Sequence, residues 1–168
     1  MKKIFLIRHA KSSWKEPYLS DFDRPLNKRG KTDAPFMGEL LAQKKILPDL
    51  ILSSPAKRAI RTAEEIAKKI NYNLSAIKAD ERIYEASRNE LLKVLREIEK
   101  DVDVIFLVGH NPGLTFFANF LSGSEIENIP TCGIVEFNFK GSDWEDLDID
   151  SCSLVSFEYP KKYLSKNQ

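Results

Sequence analysis

Histidine, cysteine, methionine and tryptophan occur only twice each in this chain of 168 residues, and its charges almost cancel. Cys132 and Cys152 are too few for a disulfide framework and lie in no paired metal-ligand spacing, which predicts two reduced thiols in a cytoplasmic protein. With 26 Lys plus Arg against 25 Asp plus Glu, no overall field draws nucleic acid or an anionic lipid surface. Any attraction for anions has to be local. No apolar run approaches the ~20 residues of a membrane span. Met1-Lys2-Lys3 followed by apolar residues has the outline of a secretion signal, but Arg8 interrupts the run after Ile7, short of the ~7–15 apolar residues such a segment needs. Repeats, low-complexity tracts and internal boundaries are also missing. The reading is one domain over residues 1–168, a length that buries roughly 70% of the unfolded surface without staples. The sequence sets no oligomeric state.

What is present is an alternation of strand-like and helix-like segments, which predicts an α/β three-layer sandwich with a mostly parallel sheet and helices on both faces. Residues 3–8 read as a first strand, apolar throughout, followed by a polar loop from Lys11 to about Asn27. Phe36, Met37, Leu40 and Leu41 mark a helix whose start is obscured by Pro35 and Gly38. Residues 49–53 read as a second strand. Ser54 then has the place of an N-cap with Pro55 at the first helical position, ahead of an apolar stripe from Ala56 to Ile70. A short strand is expected over residues 74–78, and Ser87 and Glu90 have capping-box spacing, which leaves Glu85 just outside a helix start. A strand over 102–108 leads to a helix opened by Asn111-Pro112-Gly113 and running through Leu121. Edge strands are expected over 133–139 and 153–159, and fraying over the last six or so residues.

The two histidines stand in equivalent places. His9 closes the first apolar strand and His110 closes the strand before it, where ligands of open α/β sheets bind. Arg8 precedes His9, and the turn Ser54-Pro55-Ala56-Lys57-Arg58 ends another strand. Two histidines and two arginines around one point make a pocket for a dianion, and guanidinium forks match phosphoryl oxygens. Zinc would need a third or fourth ligand, and no spacing of Cys or carboxylates supplies one, so no metal or cofactor is expected.

Arg8-His9-Ala10-Lys11-Ser12-Ser13-Trp14 resembles the Arg-His-Gly signature of the histidine phosphatase superfamily, which includes phosphoglycerate mutases and acid phosphatases. Residues 54–63 are similar to its second arginine segment, and Val108-Gly109-His110-Asn111 to its second histidine, in the same order and spacing over residues 4–121. Ala10 in place of glycine, the short chain and Asp23-Arg24-Pro25-Leu26 look most like the SixA-type phosphohistidine phosphatases. The resemblance implies a phosphoglycerate mutase-like fold, with His9 as nucleophile and Arg8, Arg58 and His110 holding the phosphate. It makes Glu85 the candidate general acid, although Glu85 has a second reading as a loop ion-pair partner. Ala10 would add a methyl group where the backbone nears the phosphate.

The favoured partner is a protein bearing phosphohistidine. A small phosphate ester or nucleotide is the enzymatic alternative, and a phosphate-binding regulatory module without turnover is an alternative of another class. A mutase would need a closed site that keeps water out, and the chain lacks insertions to close one. Lys57 and Arg61 read as solvated helix residues, and Asp21, Asp23 and Arg24 as holding their loop together. Trp14 either stacks on substrate at the rim or packs over that loop.

Overall fold

The apolar runs divide by parity. In the computed structural model, which describes residues 1–164, Ile4 and Leu6 of β1 (Lys2–Arg8) enter one core while Phe5 and Ile7 enter another. Successive strand side chains point to opposite faces, so a continuous apolar run signals a sheet covered on both sides. The same division separates Leu52 from Ile51 in β2 (Leu50–Ser53) and Leu107 from Phe106 in β4 (Val104–Gly109). Helices α1 (Lys28–Gln43) and α2 (Lys57–Lys69) cover the Phe5 face. Helices α3 (Arg88–Arg96) and α4 (Gly113–Ser122) cover the other, which completes the three layers.

The sheet has six strands in the order β3-β2-β4-β1-β5-β6, with β3 at Lys78–Ala79, β5 at Ile134–Phe139 and β6 at Cys152–Glu158. The first four in that order run parallel, and each of the last two is antiparallel to its inner neighbour. Only one of the two expected edge strands is an edge. β5 lies between β1 and β6, and its polar residues are paired: Lys3 Nζ donates to Glu136 Oε2 at 3.1 Å and to Asn138 Oδ1 at 2.7 Å.

Helix α1 begins well before Pro35. The Asn27 side chain accepts from the Gly30 amide at 2.8 Å and caps it, and a Cβ on Gly30 would stand 2.2 Å from the Lys11 carbonyl oxygen. Glycine at that turn therefore lets α1 press directly on the loop that follows His9. Proline inside a helix removes one hydrogen bond and costs about 3 kcal/mol. Burial of Ala34, Met37 and Leu41 offsets that cost here, and Gly38 brings the α2 backbone close.

Three other local expectations change. Ser54 does not cap α2, because the helix starts at Lys57 after Ala56; the Ser54 hydroxyl accepts from the Ala56 amide at 3.2 Å and is shared with His110. Residues 74–76 form a single 3-10 turn ahead of the short β3. Near the C-terminus, Tyr163 and Leu164 belong to a fifth helix, α5 (Pro160–Leu164), with the Tyr163 ring against Phe36, where fraying was expected. The remainder of that expectation, 165–168, lies outside the described residues. Ser87 and Glu90 do form the capping box of α3.

Candidate active site

The pairing of β1 with β4 puts Arg8 opposite Gly109, so the next residues of the two strands, His9 and His110, emerge side by side. Their ring centroids are 5.1 Å apart. β2 lies on the far side of β4, and the Ser54 amide donates to the Val108 carbonyl at 3.0 Å, which brings Ser54 and then Arg58 to the same edge. α1, which follows β1, and α4, which follows β4, go to opposite faces of the sheet. The crevice between adjacent strands whose helices diverge is where open α/β sheets bind ligands.

Hydrogen bonds fix both imidazole tautomers. His9 Nδ1 lies 2.8 Å from the Ala10 carbonyl, which can only accept, so Nδ1 carries the proton and Nε2 the lone pair. The Arg58 Nε–H faces that Nε2 at 3.4 Å. Arg58 Nη2 likewise faces His110 Nδ1 at 3.4 Å, which leaves His110 Nε2–H to donate to Ser54 Oγ at 2.8 Å. Thr62 joins the two arms, donating to the Arg58 carbonyl at 2.7 Å while accepting from the Ala10 amide at 2.9 Å. Ala10 itself is fully buried within the apolar cluster below, so its methyl group is accommodated by packing.

Arg58 is clamped by the loop between His9 and α1. Its Nη1 donates to the Asp21 carbonyl at 2.6 Å and its Nη2 to Asp21 Oδ2 at 2.9 Å. The Tyr84 hydroxyl donates to the same Oδ2 at 2.7 Å, and Arg24 Nη2 to Oδ1 at 3.1 Å. Burial opposes ionisation of Asp21, but the hydrogen bonds from Tyr84 and Arg58 outweigh it and hold the carboxyl down at about 2. Arg8 Nη1 donates to the Ile129 carbonyl at 3.0 Å, while its buried Nε has no partner among the described residues. Burial lowers the Arg8 pKa, and the nearby Arg58 charge lowers it further. Two guanidiniums near enough for the charge of one to act on the other suit a compact anion.

Burial is also the main reason both histidines stay neutral. It brings His9 down to about 3, with the neighbouring His110, Arg58 and Arg8 pushing the same way, and His110 to about 4, with help from Arg58. In the unfolded chain both rings take up protons as the pH falls through about 6.5, whereas in the folded protein they resist until the lower values. Acid therefore favours unfolding across that interval. Stability is full above about 6.5 and declines below it by up to about 1.4 kcal/mol per pH unit for each histidine. Urea titrations at pH about 7 and about 5 should show that decline, and His9→Ala should make it shallower; an unchanged slope in the variant would mean that His9 is not held neutral by the fold.

Of the residues singled out from the sequence, Arg58, His110 and Glu85 line one open cleft of about 1040 Å³, and His9, 7% exposed, lies behind Arg58 and His110. Glu85 is exposed at the mouth with a left-handed backbone at φ 54, a conformation costly for a residue with a side chain. Its carboxylate is one of two that flank the Tyr84 hydroxyl. Burial, then the hydrogen bonds to Asp21 and Glu85, raise the Tyr84 pKa. Ser54 and Asp21 were missed as site residues. The serine's position at the end of a buried strand was the available signal, but its capping pattern was read first. Asp21 does hold Arg24 as expected, yet its reach to Arg58 depends on a loop path that no local pattern encodes. Trp14 is 76% exposed and lies over its own loop, with Arg24 3.5 Å above the ring. Lys57 and Arg61 are exposed on α2. Among the described residues, no group of three His, Cys, Asp or Glu side chains could hold a metal ion, and no helix is long and apolar enough to cross a membrane.

The fold and this pocket together define an α/β protein with a neutral imidazole nitrogen beside arginine side chains at the carboxyl ends of parallel strands. The chain belongs to the histidine phosphatase superfamily (branch 1), whose family model matches residues 4–102. An uncharacterized chloroplastic protein of Arabidopsis thaliana is 32% identical over 158 residues, covering 86% of this chain and 70% of that protein. Phosphoglycerate mutase 1 of Saccharomyces cerevisiae is 42% identical over 65 residues, but these are 38% of this chain and 26% of the mutase. Among solved structures, the putative phosphohistidine phosphatase SixA from Agrobacterium tumefaciens matches with a TM-score of 0.79 and 29% identity, over 95% of this chain and 98% of that one. A protein histidine phosphatase SixA complexed with tungstate shares the fold at a TM-score of 0.81 and 20% identity, with 95% and 98% of the two chains covered.

Proposed function

We propose that this protein is a metal-independent phosphatase that removes phosphate from phosphohistidine on proteins, by way of a phosphohistidine intermediate at His9. The observation that carries the reading is the His9 Nε2 lone pair, held neutral by burial and directed to the Arg58 side of the pocket. A nucleophile attacks only when unprotonated. Arg8, Arg58 and His110 hold the three non-bridging oxygens as charge redistributes, His110 by turning its single Nε2–H from Ser54 Oγ to the phosphate, and phosphoryl transfer draws most of its acceleration from such positioning and charge stabilisation.

In the first step the His9 Nε2–P bond forms as the bond from phosphorus to the substrate nitrogen breaks, and the leaving imidazole departs with its proton. In the second, water attacks phosphorus, the Nε2–P bond breaks, and phosphate leaves with His9 restored. A protonated imidazole needs little help to leave, whereas an alkoxide needs a proton donor. Glu85 at the mouth is the group that could supply one, and its presence favours a second reading in which small phosphate esters are also hydrolysed. The likeness to the Agrobacterium protein supports the phosphohistidine reading, as does the open cleft, which leaves room for a bulky substrate.

The test is phosphate release from a phosphohistidine-bearing protein and from p-nitrophenyl phosphate, measured side by side with His9→Ala as control. Faster, His9-dependent release from phosphohistidine supports the proposal. Release from the ester alone reassigns the substrate, and phosphate-dependent thermal stabilisation without any release identifies a binding module instead.

A further inference from the structure

The cleft in front of the histidines is far larger than a phosphoryl group fills, and its outer part has a character of its own. One wall is α4 and the residue before it. Pro112, Phe116 and Phe120 line the cleft at intervals of four, stepping away from His110 over about 12 Å at 1.5 Å per residue. Phe116 is 61% exposed, a large ring left in water on a helix whose other rings, Phe117 and Phe120, are buried and half-buried. Facing it is the first turn of α3, where the exposed Arg88 guanidinium sits 4.4 Å over the Phe120 ring. Arg88 Nε donates to Asn89 Oδ1 at 3.4 Å, and among the described residues Arg88 forms no ion pair with a carboxylate.

Taking the phosphohistidine-protein reading as its basis, we propose that the Phe116–Phe120–Arg88 wall is the docking surface for the substrate protein: an apolar side chain near the phosphohistidine covers Phe116, and a nearby carboxylate pairs with Arg88. Three observations select that occupant. The wall is continuous with Arg58 and His110 in a single cleft, so a phosphohistidine engaged there carries its own chain across it. The unpaired guanidinium complements a negative group. Exposed aromatic residues beside arginine have the composition of protein-binding hot spots. A small ester engaged at the same pocket would reach only the end beside Glu85 and leave Phe116 in water.

The test uses two synthetic peptides, each phosphorylated with phosphoramidate on a single histidine. One has leucine and glutamate within four residues of it, and the other has alanine and glutamine at those positions. Free phosphohistidine is the third substrate. The wild-type protein should hydrolyse the leucine and glutamate peptide with a kcat/KM about tenfold above the other, mostly through KM, a difference of about 1.4 kcal/mol. Phe116→Ala and Arg88→Gln should each remove several-fold of that preference while leaving hydrolysis of free phosphohistidine unchanged, as expected when coupled pairs are cut. Equal rates on both peptides, or equal losses on free phosphohistidine, would overturn the docking surface and leave the proposed activity intact. Failure of the wild-type protein on all three substrates would overturn the activity, and the docking surface with it.

Discussion

His9→Ala lowers phosphate release at least about a thousandfold and leaves phosphate binding largely in place. The first half follows from the role of a nucleophile, whose removal costs that much or more in enzymes that work through a covalent intermediate. The second half follows from the geometry. The His9 ring donates to its own neighbour's carbonyl and accepts one bond from Arg58, while Arg8, Arg58 and His110 each have a further partner: Ile129, Asp21 and Ser54. The variant should therefore keep its anion pocket and still gain thermal stability from inorganic phosphate. A variant that loses turnover and phosphate binding together would show that His9 organises the pocket and does not simply react in it.

Arg58→Lys lowers kcat/KM about 100- to 1000-fold, although charge is conserved. Arg58 addresses four acceptors at once from a rigid fork: His9 Nε2, His110 Nδ1 and two oxygens of Asp21. Lysine offers a compact charge that cannot keep these directions. Losing one aligned donor to a developing anion costs a factor of this size. The exchange also leaves the Asp21 carboxylate, ionised by design of its contacts, facing the pocket with less compensation, which repels the phosphate. Steady-state kinetics on the preferred substrate check the effect; a loss below tenfold would mean that Arg58 supplies only net charge.

Much of this site was legible because strand ends carry their meaning locally. Arg8-His9 and Gly109-His110 each close an apolar run, and parallel pairing of two such runs makes their last residues neighbours. Arg58 follows the same rule through β2 and the turn after it. The fold class was legible for a related reason, since unbroken apolar runs alternating with amphipathic helices require a sheet covered on both faces. Ser54 shows where local reading fails. Serine before proline carries the signal of a helix cap, but its hydroxyl serves the Ala56 amide and His110 together, and α2 starts only at Lys57. Asp21 shows a second kind of failure, because its contact with Arg58 spans 37 positions and depends on how the intervening loop folds. β5 shows a third: its run was read as an edge strand, and only the pairing of Glu136 and Asn138 with Lys3 reveals that an inner strand can carry polar residues.

The most direct test of the central claim is to mix enzyme with a radiolabelled phosphohistidine protein, quench in alkali within milliseconds, and map the label. Label on His9, stable to base, lost in acid and chased into free phosphate when the reaction is left to continue, is the result that the geometry predicts. Phosphate that reaches water without ever appearing on the chain, or a label on any residue other than His9, would contradict it.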